Sequence, residues 1–448
     1  MQQSSVALFR TQWPLMGRIF LLGMMSGYPQ IFVFSLVAVW LKDAGYSLSA
    51  ITAFGAISLF YAFNWTLAPL LDRYRALGLD RRRFWLISMQ AIMLLACLVA
   101  AMVNAQAALW ALVVATLILT FCSALQDVAI DALRIELTPK DRNDLLSMGA
   151  GFATAGWYTG FSLGGALGLE IVDALKQQAV PVELAWRQVY LYMSGFFVLA
   201  MILSWRLYRP SKQASDEFGV DPQTEQFADI KQWFQSVFLR PFKALFSSHG
   251  VQFALMLLLF VFLFKLGEAF LGRTAIVFYK DIGFSDSEIS RYGKIIGWVV
   301  MMVLSMFSGV IAARMGSWKA LMFGGIAMAA TNVLFAVLAW IGPKTWFLAF
   351  SVVADQITTA FATVAFVVFI STLCTDRRFT GTQYALLASL ASFSRMLLAS
   401  SSGYVKEHWL NDSWVLFFII TALMVIPSLV LLYFMRDRVV SIERPGDS

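Results

Sequence analysis

Residues 40 to 51 read WLKDAGYSLSAI, and residues 278 to 289 read FYKDIGFSDSEI. The two stretches align without a gap at a constant offset of 238 residues, sharing a Lys-Asp pair, a glycine, an aromatic, two serines and an isoleucine. Each follows one long apolar run and precedes another. That placement makes the chain two copies of a multi-span unit, and the rest of the sequence can be laid out around the repeat.

The composition fits. Of 448 residues 59% are hydrophobic and 15% aromatic, only 14% are charged, and mean hydropathy is +0.72. Soluble domains do not reach these values, so the chain is integral to a membrane. Apolar runs of about 20 residues recur, long enough at about 1.5 Å per residue to cross a hydrocarbon core of roughly 30 Å. Runs such as VQFALMLLLFVFLF (251 to 264) are continuous and not alternating, which selects helices over a barrel. Twelve spans are predicted, over 17 to 40, 49 to 71, 84 to 103, 108 to 133, 145 to 172, 188 to 207, 251 to 272, 290 to 313, 319 to 341, 345 to 373, 382 to 403 and 413 to 434. The first is longer than a signal h-region and lacks a small-residue cleavage site, so it reads as a retained helix. Most of the 34 Lys and Arg fall on one side of this layout, Arg81, Arg82 and Arg83 among them. The excess places both termini in the cytoplasm, and the net charge of +7 reads as topogenic bias and not as nucleic-acid binding. Cys97, Cys122 and Cys374 have no paired or metal-ligand spacing and read as small apolar fillers; no metal or cofactor is expected.

The repeat divides the chain into an N-terminal six-helix half (1–206), a connecting segment (207–250) and a C-terminal six-helix half (251–448). The turn PLLDRYRALGLDRRR (69 to 83) corresponds to GVIAARMGSWKA (309 to 320). Parallel six-helix halves resemble the plan of the major facilitator superfamily. Residues 206 to 226 read as a polar linker. Ile230, Trp233, Phe234, Val237, Phe238, Phe242, Leu245 and Phe246 then fall on one helical face, which suits a helix on the membrane surface, kinked at Pro241. Gly156, Gly160, Gly164 and Gly168 form a stripe on the fifth span. It serves simple helix packing or, compatibly with that, rocking of the halves against the eighth span, which carries Gly293 and Gly297.

Charges inside the bilayer are costly and therefore point to function. Counted from Trp346, Asp355 lies about 14 Å into its span, at the midplane. Lys265, Glu268 and Arg395 fall near the same depth. Lys265 and Glu268 are one turn apart, and Asp355 is placed to pair with Arg395 if the tenth and eleventh spans touch. Burial and a nearby cation pull a carboxylate's protonation in opposite directions, which is what loading and releasing protons requires. Asp355 and Glu268 are therefore the proton-coupling candidates. Lys265 and Arg395 are placed to meet an anionic substrate, with Gln356 beside them. In the first half SGYPQ (26 to 30) puts Gly27, Pro29 and Gln30 mid-span, where Pro29 either kinks the helix or breaks it and exposes carbonyls. Asn64, Trp157 and Tyr158 lie at heights that suit sugar contacts or ordinary packing. SALQDVAIDALRIE (123 to 136) runs from depth to the cytoplasmic edge. Gln126 and Asp127 read as the inner rim of the cavity. Asp131, Arg134 and Glu136 read as one gate network, with Asp72, Arg73 and Arg82 on the neighbouring turn.

SGYP (26–29), APLLDRY (68–74), SALQDVAIDA (123–132), FKLGEAF (264–270) and GTQYALLASLASFSR (381–395) together resemble the AmpG muropeptide permeases, a major facilitator branch that also holds acetyl-coenzyme A transporters. The resemblance spans nearly the whole chain. It implies a bacterial inner-membrane importer of anhydromuropeptides working with protons, and through that cell-wall recycling and β-lactamase induction. Gly27, Pro29, Asp72, Arg73, Gln126, Asp127, Asp131, Lys265, Gly267, Glu268, Gln383 and Arg395 occupy its motif positions, with Glu268 in place of an Asp. Asn64 stands where that family often has Lys, its Tyr-Arg pair in the fifth helix is missing, and the two further C-terminal helices of some members are absent. The turn from Asp72 to Arg83 resembles the superfamily's loop motif, in which an acidic latch ties helix ends together in one access state. Its counterpart in the second half has Ala313 in place of the acid.

The expected function is proton-coupled solute import by a monomer. The alternatives are transport of another acidic amphiphile (siderophore, coenzyme A ester or drug) and a non-transporting sensor or scaffold. An enzyme is not expected. The two histidines, His249 and His408, sit at loop edges, and no hydrolase or metalloprotease motif stands in a suitable setting.

Overall fold

The computed structural model describes residues 5–46, 64–73, 79–105, 107–139, 142–208, 250–284, 297–374, 380–399, 405–411 and 413–443, with six isolated positions besides, among them Tyr61. Among the described residues there is no strand. Nine helices among them are long and apolar enough to cross a membrane: Gln12–Asp43, Arg81–Met102, Leu109–Glu136, Val182–Leu207, Val251–Leu271, Gly297–Met315, Ser317–Ile341, Thr345–Thr372 and Trp414–Phe434. Helices Asn143–Gln177 and Thr380–Ala399 occupy the predicted fifth and eleventh spans. Of the second span, Ala68–Arg73 is described as helix. The predicted surface helix of the connecting segment lies outside the described residues.

The repeated stretch is one structure built twice. Gly45 and Gly283 both have φ in the left-handed region, +86° and +101°, where only glycine is unstrained, and so end the first and seventh spans alike. After each glycine an aromatic amide returns to a carbonyl five residues back, Tyr46 to Leu41 and Phe284 to Tyr279. Asp43 then accepts from the indole of Trp186 at 2.7 Å and pairs with Lys176 at 2.6 Å. Asp281 does the same with the indole of Trp414 at 3.1 Å and with Lys406 at 3.9 Å. Trp40 and Phe278, both fully buried, pack on the same sixth-span and twelfth-span tryptophans. The sequence repeat therefore marks a repeated tertiary joint.

Trp110, Trp340, Trp346 and Trp409 are largely exposed at this same end of the bundle, as an interfacial aromatic girdle requires. The lipid-facing surface between the ends carries Leu95, Val99, Ile118, Leu199, Phe307 and Val430.

The first span runs through Pro29 as Ser5–Ile31 and widens into a π-turn over Phe32–Leu36 before finishing as Val37–Asp43. Proline has no N–H for the carbonyl four residues back. That carbonyl, on Met25, accepts instead from Gln126 Nε2 of the fourth span at 2.7 Å. The alternative in which Pro29 breaks the helix and bares carbonyls to a cavity is therefore corrected. The interruption lies in the second half, where the seventh span turns at Lys265 between helices Val251–Phe264 and Leu266–Asp281.

The glycine stripe also acts differently from its rocking reading. A Cβ on Gly156 would strike the Phe20 carbonyl and one on Gly160 the Met24 carbonyl; Gly23 and Gly27 meet Ala153 and Trp157 reciprocally. The stripe fuses the first and fifth spans within one half, where side chains would hold the backbones apart. The close approach across the halves is made by Gly151 and Gly309, whose Cβ positions face the carbonyls of Ser305 and Ser147. Gly297 faces Gln356 of the tenth span, 2.6 Å from a built Cβ, and not the fifth span; Gly293 lies outside the described residues. Near this seam Ile135, Leu146 and Ala150 of the first half are buried in the core of the second, and Ala385 of the second in the core of the first. These contacts cluster at the end opposite the aromatic girdle.

Candidate functional site

Three polar groups are assembled from the predicted residues. In the first half, Asp127 on the fourth span accepts from Ser26 Oγ at 2.6 Å (Oδ1) and from Gln30 Nε2 at 2.7 Å (Oδ2), both on the first span. Helical spacing sets Ser26 and Gln30 one above the other, so one carboxylate spans both. Gln126, its neighbour, points to the freed Met25 carbonyl and leaves its own buried Oε1 without a partner.

In the second half, the turn at Lys265 aims its ammonium at Glu268, 2.5 Å away, and at Thr363 Oγ1 of the tenth span, 2.6 Å away. Asp355 accepts from Thr331 Oγ1 of the ninth span at 3.1 Å, and Glu268 and Lys265 are its electrostatic neighbours. The expected pair of Asp355 with Arg395 is not formed. Arg395 is exposed on the eleventh span and acts electrostatically on Tyr158 of the fifth. Trp157 stacks on Phe161 with ring centroids 5.3 Å apart and meets Tyr158 edge-on at 5.0 Å, so its ring is engaged in packing. Asn64 accepts from Ser389 Oγ of the eleventh span, a contact that crosses the halves.

At the end opposite the girdle the halves are tied together, and here the single gate network divides in two. Arg82, almost fully buried, holds Asp72 at 2.7 Å and Glu136 at 2.7 Å, and Arg81 adds a second cation on Glu136 at 3.1 Å. Asp72 in turn accepts from the amides of Thr382 (2.7 Å) and Gly381 (3.2 Å) and from the Thr382 hydroxyl (2.7 Å), at the start of the eleventh span. A carboxylate there meets helix N–H groups that have no partner of their own and the positive end of the helix dipole. Asp131 and Arg134 belong to a separate group. Arg134 reaches Asp131 at 3.6 Å, donates to Ser371 of the tenth span at 2.8 Å and lies over the Tyr384 ring. Beside the latch, the Asp80 side chain caps the third span at Arg83 N, and burial pushes its carboxyl up against the pull of Arg83. The side chain of Arg73 lies outside the described residues.

The sequence places Arg82 beside the gate network or else in a topogenic run with Arg81 and Arg83, and it gives no sign of Thr382, Ser371, Tyr384, Thr331 and Thr363. Neutral hydroxyls inside a span carry no signal of their own. Arg82 does carry one: it stands at the first turn of a span, ten residues from an acid that ends the previous span.

The Major Facilitator Superfamily profile matches residues 19–399. The chain belongs to that superfamily. Its members are transporters, not enzymes, so this is a multi-pass membrane transporter with the all-α, twelve-helix, two-half fold. Among curated proteins it is similar to the transporter AmpG 4 of Rickettsia conorii, 29% identical over 94% of this chain and 96% of that one. It is also similar to the anhydromuropeptide permease of Escherichia coli K12, 25% identical over 95% of this chain and 80% of the permease. Among solved structures it superposes on the proton:xylose symporter XylE (TM-score 0.69, 14% identity, 95% of each chain) and on FucP in its outward conformation (TM-score 0.69, 13% identity, 94% and 97%), a likeness of fold.

Proposed function

We propose that this transporter imports anhydromuropeptides, or a closely related acidic amphiphile, together with protons, across the bacterial inner membrane. In this reading it works as a monomer with both termini cytoplasmic, and the halves 1–206 and 251–448 move about the connection 207–250. The observation that carries the proposal is the grouping of Lys265, Glu268 and Asp355 inside the second half. A cation paired with one carboxylate and close to a second can meet an anionic substrate while a proton neutralises one of the acids. Asp355 and Glu268 then carry protons; Lys265, Arg395, Gln356, Asn64, Gln126, Pro29, Gln30, Trp157 and Tyr158 line the path; the Asp72 latch and the Arg134 group close it on the cytoplasmic side. The substrate class follows the similarity to the Escherichia coli permease over nearly the whole chain.

One observation favours the wider reading of the ligand. Asn64 bonds to Ser389 where the resembling family often has a Lys, and with the Tyr-Arg pair of the fifth helix also missing this path has two cations fewer. Counterflow in liposomes tests the assignment. Protein preloaded with unlabelled anhydromuropeptide should take up the labelled compound by exchange, and absence of exchange removes this substrate.

A further inference from the structure

We propose that Asp127 is a second proton-carrying site, in the first half, and that it holds a proton in the access state seen here. The inference rests on the proton-coupled reading above, in which Asp127 is at most a substrate-contacting residue at the inner rim of the cavity.

The two halves make the same contact differently. At the repeat offset of 238, Gln30 corresponds to Glu268 and Gly27 to Lys265. The fourth and tenth spans, Leu109–Glu136 and Thr345–Thr372, are both 28 residues long, and counting from their first residues, an offset of 236, sets Asp127 against Thr363. In the second half the contact holds a carboxylate, a hydroxyl and the Lys265 ammonium. In the first half it holds a carboxylate, an amide and a serine hydroxyl. The acid is present in both, and the cation in one.

Nor can a cation be supplied where the repeat would put it. The Cβ position of Gly27 runs into the Trp157 carbonyl, so the seam of the first and fifth spans leaves no room for a side chain. Among the described residues the groups facing Asp127 are Ser26 and Gln30 from the first span, Tyr61 from the second, and Asp131 one turn along its own helix. Arg134 is engaged with Asp131 and Ser371, and Arg395 acts on Tyr158. The second span adds nothing basic, for residues 47–63 contain no Lys, Arg or His. Two acids one turn apart share a single arginine, which stands beside Asp131. A half-buried carboxylate met only by neutral donors and by a second acid one turn away lacks the cation its counterpart has, and taking up a proton relieves the repulsion between the two acids.

The hydrogen bonds admit that proton. At 2.6 Å the Ser26 hydroxyl can accept from a protonated Asp127 as well as donate to it, while Gln30 continues to donate to the other oxygen. Loss of the proton leaves the carboxylate, which needs more hydration than the half-buried side chain has here, and a path that opens further supplies it. Release is thereby tied to the change of access.

Infrared difference spectroscopy of the purified transporter tests this without any substrate. At neutral pH the wild type should show a carboxylic-acid carbonyl band that titrates away at alkaline pH. One component of that band should be lost in Asp127→Asn, and in Gln30→Lys, which supplies the missing cation, and that same component should be kept in Asp355→Asn and Glu268→Gln. No such band in the wild type, or a band unchanged in Asp127→Asn, overturns the inference. The proton-coupled reading fails on a different result, absence of gradient-driven uptake by the wild type.

Discussion

Asp72, at the end of the second span, accepts hydrogen bonds from both the amide and the hydroxyl of Thr382, each 2.7 Å long, across the boundary between the halves. Hydrogen bonds to a charged group contribute roughly 1.5–3 kcal/mol apiece, so this contact weighs heavily in the balance between access states. Asp72→Asn should lower the population closed at this end by about tenfold or more, since 1.4 kcal/mol is one decade. Spin labels on the fourth and tenth spans at this end should report a shift to longer distances. An unchanged distance distribution would show that the latch does not hold the state.

The glycines of close helix approach divide by partner. Gly309→Ala on the eighth span presses on Ser147 O, 2.7 Å from a built Cβ, across the halves. It should push the halves apart and leave thermal stability of the protein near that of the wild type. Gly160→Ala presses on Met24 O inside one half and should lower the melting temperature clearly, by overpacking worth about 1–3 kcal/mol. Thermal unfolding of the two variants, with the same spin-label distances, separates the roles; equal destabilisation by both would contradict them.

Lys265 and Glu268 form an ion pair in the interior of the second half. Removing one partner leaves a charge uncompensated, at a cost of about 3–5 kcal/mol, whereas removing both costs little. Lys265→Met should therefore be strongly destabilised, and Lys265→Met with Glu268→Leu should regain stability while remaining inactive in transport. Melting curves beside uptake assays check this. Additive losses in the double variant would mean that the pair is not coupled.

The fold was legible because its signals are long and repeated: apolar runs, an asymmetry of arginines, and a twelve-residue stretch that recurs. The Asp43–Trp186 and Asp281–Trp414 joints show why that stretch repeats, for each copy anchors the same tertiary contact. The charged residues of the site were legible too, since each is expensive in a membrane. Their pairing was not. Asp355 turned to Thr331 and not to Arg395, and the stripe from Gly156 to Gly168 served the first span and not the eighth, because helix rotation and neighbour choice are set by packing that no single helix encodes. Asp127 and Asp131 share a helical face, yet Asp127 belongs with Ser26 and Gln30 while Asp131 belongs with Arg134. One stretch of polar spacing thus serves two sites.

The central claim is that a proton gradient drives an anionic cell-wall fragment through this path by way of Asp355. Uptake of labelled anhydromuropeptide into liposomes holding the purified transporter, with and without an imposed pH gradient, addresses it most directly. The wild type should accumulate the compound only with the gradient. Asp355→Asn should lose accumulation and keep exchange. Accumulation indifferent to the gradient, or equal loss of accumulation and exchange in Asp355→Asn, would contradict the account.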